Sequence, residues 1–381
     1  MIENPLVLTT VIIAITGLGL WLDRHVRWAG KIGAALLIVG FGAVLSNTGL
    51  VPVDSPVYAA LSGPVTSLAI VWLLLAVDRR DLKTAGPVML GAFALAAAGT
   101  ALGAIVATQV FGGGFPDDQW KLAGVMTGTY SGGSLNFVSV GRELDLPPAL
   151  YAAATAADNV VTALWIGATL MLPVWLKRVW PANVRAIAAA KDTAATGPEH
   201  HPIFSPVAIG VIDLAMLLLI GFGLLAASEY AASWVPSVPA VLWFTTMALI
   251  VAQLPPVRRL SGALQLGTFA LHAFFALIGI WSNIAEIFKV GIEVFYFTVT
   301  VVAVHGLVTY GAARLLRLEL HTTSVASQAA IGGPSTAMAL AVALERNHLA
   351  LPGLMAGLLG YGVGTYAGFA VAYIMRATVG G

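Results

Sequence analysis

The sequence predicts an all-α integral membrane protein of about 10 to 12 transmembrane helices in two inverted repeats, each holding a helix interrupted at a Gly-Gly pair. Three observations carry that expectation. Hydrophobic residues make up 59% of the chain and charged residues only 10%, with a mean hydropathy of +0.89, whereas soluble domains are roughly one-quarter charged. Apolar runs long enough to cross a bilayer recur along the whole chain. Finally, Gly132-Gly133 and Gly332-Gly333, 332 − 132 = 200 positions apart, interrupt apolar helical sequence in both halves. Irregular backbone at membrane depth is tolerated only where it is buried in protein or lines a cavity. Two breaks at corresponding places are therefore the best sequence pointer to a binding site.

Taken in order, spans are expected near 5–22, 32–50, 57–77 and 87–111. An interrupted segment follows at 119–143, then a long span from Pro148 to about Trp175. A hydrophilic linker, 177–203, carries Lys177, Arg178, Arg185, Lys191, Asp192, Glu199 and the His200-His201 pair, and it separates a first membrane repeat, 1–176, from a second, 204–381. The second repeats the plan, with spans near 204–227, 238–253, 262–282 and 289–316, an interrupted segment at 321–345 and a last span from Pro352 to about Tyr373.

Loop charge sets the orientation, because Lys and Arg collect on the cytoplasmic side. Arg24, Arg27 and Lys31, then Arg79, Arg80 and Lys83, mark inner loops of the first half, and Arg258-Arg259, Arg314 and Arg317 mark those of the second. Asp54, Asp117-Asp118, Glu229 and Glu286 fall outside. If each interrupted segment dips in and returns, every half has five crossings, the halves are inverted and the basic linker falls in the cytoplasm. The alternative is that the segments cross as broken helices and the count of other spans is off by one. Both versions bring the two breaks face to face.

The breaks supply helix termini whose free N–H groups and positive dipole ends attract anions, while freed carbonyls suit cations. The substrate-binding candidates are accordingly Ser131, Gly132, Gly133, Ser134 and Asn136 in the first break and Gly332, Gly333, Pro334, Ser335 and Thr336 in the second. Asp158 lies about ten residues beyond Pro148, near midplane, where a carboxylate is costly and functional by default. Thr155, Asp158, Asn159 and Thr162 share one helical face at i, i+3, i+4 and i+7, an oxygen set suited to Na⁺ or to a proton carrier. Asp213, read as mid-span, is the next ion-ligand candidate. His272 and His305 lie within spans on apolar faces, where a lone His is more often a hydrogen-bonded packing residue than a proton relay. The net charge of +1 offers no surface for nucleic acid, and the absence of Cys removes thiolate chemistry and disulfides. With no nucleotide loop, metal quartet or nucleophile elbow in view, an enzyme is not expected, nor any cofactor beyond Na⁺ or H⁺ as coupling ion.

The runs Thr127-Gly-Thr-Tyr-Ser-Gly-Gly-Ser-Leu-Asn136, Ala157-Asp-Asn-Val-Val161 and Ile331-Gly-Gly-Pro-Ser-Thr-Ala337 resemble an uncharacterised family of bacterial and plant multi-span membrane proteins bearing a domain-of-unknown-function label. That family is grouped with the superfamily of cation/proton antiporters and bile-acid-type sodium symporters, and the layout is similar to glutamate:sodium and citrate:sodium symporters. The resemblance implies that a polar pair on the helix after the crossing element carries the ion, here Asp158 with Asn159. It also implies an elevator-like homodimer, and it does not name the substrate; the expected location is the bacterial inner membrane, with the lipid bilayer and a small organic anion as partners. Two readings stay open: a sodium- or proton-coupled transporter of a small organic anion, and a monovalent cation/proton antiporter using the same aspartate.

Overall fold

Apolar segments in lipid must satisfy their own backbone hydrogen bonds, and an α-helix does so within a single segment. The computed structural model describes residues 2–181, 207–236 and 238–379, and its elements are helical throughout these. The first half runs α1 (Pro5–His25), α2 (Arg27–Ile32), α3 (Ala34–Asn47), α4 (Pro56–Ala60), a π-turn at Leu61–Val65, α5 (Thr66–Leu75), α6 (Arg80–Phe111), α7 (Gln119–Thr129), α8 (Ser134–Glu143) and α9 (Pro148–Leu176). The second runs α10 (Val211–Trp234), α11 (Ala240–Val251), α12 (Ala263–Trp281), α13 (Ile284–Leu315), α14 (Leu320–Ile331), α15 (Gly333–Ala343) and α16 (Ala350–Val379). Among the described residues, eight helical tracks are long and apolar enough to span a membrane, and α3 and α11 are shorter apolar helices. Pro64 lies in the π-turn that joins α4 to α5, since proline cannot donate the helical bond at its own position. Most of the basic linker, 182–203, lies outside the described residues.

One expected span moves. The span expected at 204–227 starts later: α10 begins at Val211 because a cap starts it there, the Asp213 carboxylate accepting the Gly210 N–H at 3.0 Å. Asp213 is therefore a first-turn capping residue at a helix end and not a mid-span ion ligand, which corrects the sequence reading.

The helices group into two bundles that cut across the two halves of the sequence. One contains α1–α5 with α10–α12, in which α3 packs along α12 and α5 lies against α10, α11 and α12. The other contains α6–α9 with α13–α16, organised by the long α6–α13 contact and by α16 against α6, α7 and α15. Glycine lets backbones meet at these contacts. In the second bundle, a Cβ on Gly368 would meet the Gly124 carbonyl at 2.7 Å, and one on Gly364 the Gly128 carbonyl at 2.7 Å. The row formed by Gly124 and Gly128 of α7 and Gly132 in the turn after it thus seats in the row Gly360, Gly364, Gly368 of α16, small-residue packing of the membrane kind.

The two arms of each interrupted segment pack against each other. Lys121 Nζ donates to the Asp145 carbonyl at 3.0 Å across the base of α7 and α8, and Gly128 sits against Val140. Likewise 319–321 and 343–346, the two ends of the α14–α15 pair, line a common cavity. The bases lie at opposite ends of α9, whose 29 residues cover about 43 Å. Ser282 Oγ donates to the Pro148 carbonyl at 3.0 Å at the end shared with the first base. Trp180 Nε1 donates to the Leu318 carbonyl at 2.8 Å at the end shared with the second.

Loops of the two halves also meet. Arg258 pairs with Asp78 at 3.1 Å, and Gln253 Nε2 donates to the Val77 carbonyl at 3.1 Å, joining two segments that loop charge assigns to the same side. Partial burial pushes the Asp78 carboxyl up, but the Arg80 amide and the Arg258 guanidinium outweigh it and hold the group below its ordinary range. A group depressed in this way contributes stability above its unfolded pKa and loses it as pH falls through the folded one.

Candidate functional site

The two breaks meet at the middle of α9. Thr129, Gly133 and Ser134 of the first, and Ile331, Gly332 and Thr336 of the second, line one cavity of about 280 Å³ with Asp158, Asn159 and Thr162, and Gly30 and Gly33 close it from the other bundle. Helices α8 and α15 both start at this cavity, and neither has a side-chain hydrogen bond at its N-cap. Their uncapped N–H groups and positive dipole ends therefore converge on the same space. Gly133 and Gly333 adopt φ of +84° and +80°, the left-handed region that lets the chain turn sharply into the second arm.

The cavity holds one carboxylate among its lining residues. Asp158 Oδ1 accepts from Thr162 Oγ1 at 3.0 Å, and the Tyr130 hydroxyl lies beside the same carboxylate and Thr162. Its neighbours in the chain, Thr129 Oγ1 and Ser131 Oγ, close no hydrogen bond. All three residues are at most 2% exposed. Buried polar groups are normally paired, and an orphan costs about 1–3 kcal/mol. Thr129 Oγ1, which lines the cavity, and the Tyr130 hydroxyl, which faces Asp158, thus add oxygens of the sort a hard cation takes as ligands beside the carboxylate.

The other expected site residues divide. Asn159 lines the cavity and donates Nδ2 to the Thr155 carbonyl at 2.8 Å, so Thr155 contributes its carbonyl to that contact. Its hydroxyl is spent on the Tyr151 carbonyl at 2.8 Å, outside the cavity lining. Asn136 faces α16: it donates to the Gly360 carbonyl at 3.2 Å and accepts from Thr365 Oγ1 at 2.7 Å. Gly132 and Pro334 also pack on α16, against Gly360 and Gly357. These residues shape the tips without lining the space between them. The Ser335 side chain lies outside the described residues.

Sequence reasoning passed over Gly30, Gly33, Thr129 and Tyr130. The last two stand inside the first motif, and the place of their oxygens near Asp158 follows only from packing. Gly33 has a recoverable cause: a Cβ there would lie 2.6 Å from Asn159 Oδ1, and its φ is +86°, so the α2–α3 turn reaches the site only as glycine. His272 donates locally, its Nδ1 lying 2.8 Å from the Thr268 carbonyl. His305 is different: it is fully buried and bonded on both ring nitrogens, to Thr100 Oγ1 at 2.9 Å and Ser327 Oγ at 2.8 Å.

Comparison with known proteins places the chain. Residues 10–378 match the family model described as Protein of unknown function (DUF819), and the chain belongs to that family. It is 28% identical over 363 residues, 91% of each chain, to the Uncharacterized membrane protein YjcL of Bacillus subtilis (strain 168). The chain is thus a multi-span membrane protein of an uncharacterised family.

Proposed function

We propose that this DUF819 member is a Na⁺-coupled secondary transporter of a small organic anion, with the cation at Asp158 and the anion between the two tips. The observation that supports it most is the shared cavity. Two uncapped helix N-termini favour a negative group there, while Asp158, the unpartnered Thr129 hydroxyl and the Tyr130 hydroxyl beside the carboxylate favour a cation alongside it. Binding each would lower the cost of binding the other, which is the thermodynamic content of coupling. Since Gly30 and Gly33 come from one bundle and the remaining lining residues from the other, movement of one bundle past the other would alternate access in the elevator manner.

The test is thermal stabilisation of the purified protein by a panel of small mono- and dicarboxylates in NaCl and in choline chloride. Symport requires a carboxylate that stabilises in NaCl and not in choline chloride. The second reading, cation/proton antiport, is favoured by the absence of Lys and Arg from the lining of the cavity. Vesicles that change internal pH on a Na⁺ gradient with no organic solute would establish antiport and overturn symport.

The proposed arrangement in the membrane has ten crossings, two re-entrant hairpins and inverted halves. It carries its own expected result, convenient in a chain free of Cys. Single cysteines at Glu3 and Thr378 should label from outside and one at Arg178 from the cytoplasm. Opposite sidedness of the two termini would exclude five crossings per half.

A further inference from the structure

The tips are joined by a buried polar chain that the transport reading does not use. Trp165 Nε1 on α9 donates to Ser327 Oγ on α14 at 3.1 Å. Ser327 Oγ lies 2.8 Å from His305 Nε2, and His305 Nδ1 lies 2.9 Å from Thr100 Oγ1 on α6. Thr100 Oγ1 reaches the Tyr130 carbonyl at 2.9 Å, in the turn of the first break. Donor accounting fixes the direction. Thr100 Oγ1 also lies 3.1 Å from the Ala96 carbonyl; both carbonyls can only accept, so Thr100 directs its single proton to them, the Tyr130 oxygen being the nearer, and must accept from His305 Nδ1–H. The Ala96 carbonyl also faces the ring and suits the same protonated nitrogen. His305 Nε2 is then bare and accepts from Ser327, whose oxygen in turn accepts from Trp165. Every proton in the chain is placed, each bond pointing from α9 through the second hairpin to the first tip. The Trp165 ring stands edge-on to His305 with centroids 5.6 Å apart, in a space kept open by Gly306.

Both ends of this chain reach the proposed site. Trp165 lies one helical turn beyond Thr162, the partner of Asp158, and the Tyr130 carbonyl belongs to the residue whose hydroxyl sits beside that carboxylate. The middle is held by Ser327, in the first arm of the second hairpin. Displacing that arm breaks the bonds that orient the first tip.

We propose that His305 is a positioning residue that ties cation binding at the first tip to the seating of the second hairpin. This rests on the cation reading given above, and the experiment separates the two. The probe is NaCl alone against choline chloride, read as the NaCl concentration giving half-maximal thermal stabilisation. Thr100→Val removes one hydroxyl at nearly constant shape, and His305→Phe keeps a ring against Trp165 while deleting both nitrogens. Each should raise the half-saturating NaCl about tenfold, the equivalent of one lost hydrogen bond. The double variant should be no worse than His305→Phe, because both cut one chain. His305→Asn, which can still donate toward Thr100, should recover part of the loss. A purely structural role would lower the melting temperature in choline chloride and leave half-saturation unchanged. That outcome in Thr100→Val, or additive losses in the double variant, overturns the coupling alone. No NaCl response in the unmodified protein removes the cation reading, and the coupling with it.

Discussion

Asp158→Asn should erase the NaCl response and cation-driven flux while leaving the protein folded, and without cation the variant should be at least as stable as the parent. The sign of the second effect follows from the site. Asp158 accepts from Thr162 and has the Tyr130 hydroxyl beside it, and an asparagine Oδ1 still accepts from these hydroxyl donors. What the substitution removes is a charge at membrane depth, whose cost on insertion scales is about 2.5–3.5 kcal/mol. A structural carboxylate would behave in the opposite way, losing stability on neutralisation. The pH dependence has a definite sign too. Protons and Na⁺ compete for the same oxygens, so lowering the pH should raise the half-saturating NaCl of the parent, and the Asn variant should show no response to titrate. An unchanged NaCl response in Asp158→Asn would place the cation elsewhere.

The sequence carried the architecture because membrane physics leaves it few choices. Spans with proline near their first turn, such as Pro148 and Pro352, could be placed to within a few residues, and both breaks were visible as glycine pairs in apolar surroundings. The error at α10 arose because hydropathy continues across Ile203 and Val207 while the helix starts only where Asp213 caps it. Among the residues that line the cavity, Asp158, Asn159 and Thr162 were legible from one helix's periodicity, since they share a face of α9. Thr155 shares that face yet spends its hydroxyl on its own helix, a common fate of threonine that periodicity cannot distinguish. Asn136 was misread for a related reason: amides beside a break serve substrate or scaffold equally well, and its partners on α16 are more than 200 residues away in sequence. The His305 chain was beyond sequence reading altogether. It draws single polar residues from α6, α9, α13 and α14, none of which stands in a local pattern.

Gly132→Ala and Gly133→Ala, one residue apart, should have opposite consequences, because the two glycines are required for different reasons. Gly132 has ordinary backbone angles and no room: a Cβ there would collide with the Gly360 carbonyl and with the Asn136 side chain that Gly360 and Thr365 hold in place. Backbone on both sides cannot rotate away, so the arm and α16 must separate. The penalty should reach the upper end of the about 1–3 kcal/mol typical of overpacked sites. Loss of monodisperse folded protein on size exclusion is the expected result. At Gly133 a Cβ meets only the edge of Tyr361 at 3.5 Å, and at Gly333 nothing within 4 Å, so space is available at both. Their cost is conformational, roughly 1–2 kcal/mol for a side chain in the left-handed region. Gly133→Ala and Gly333→Val should therefore fold, while the strained turn re-aims the N-termini of α8 and α15 and abolishes carboxylate-dependent stabilisation in NaCl. A well-folded Gly132→Ala protein would show that the glycine contact of α7 with α16 is looser than its geometry. Full carboxylate response in Gly333→Val would remove the second tip from the binding site.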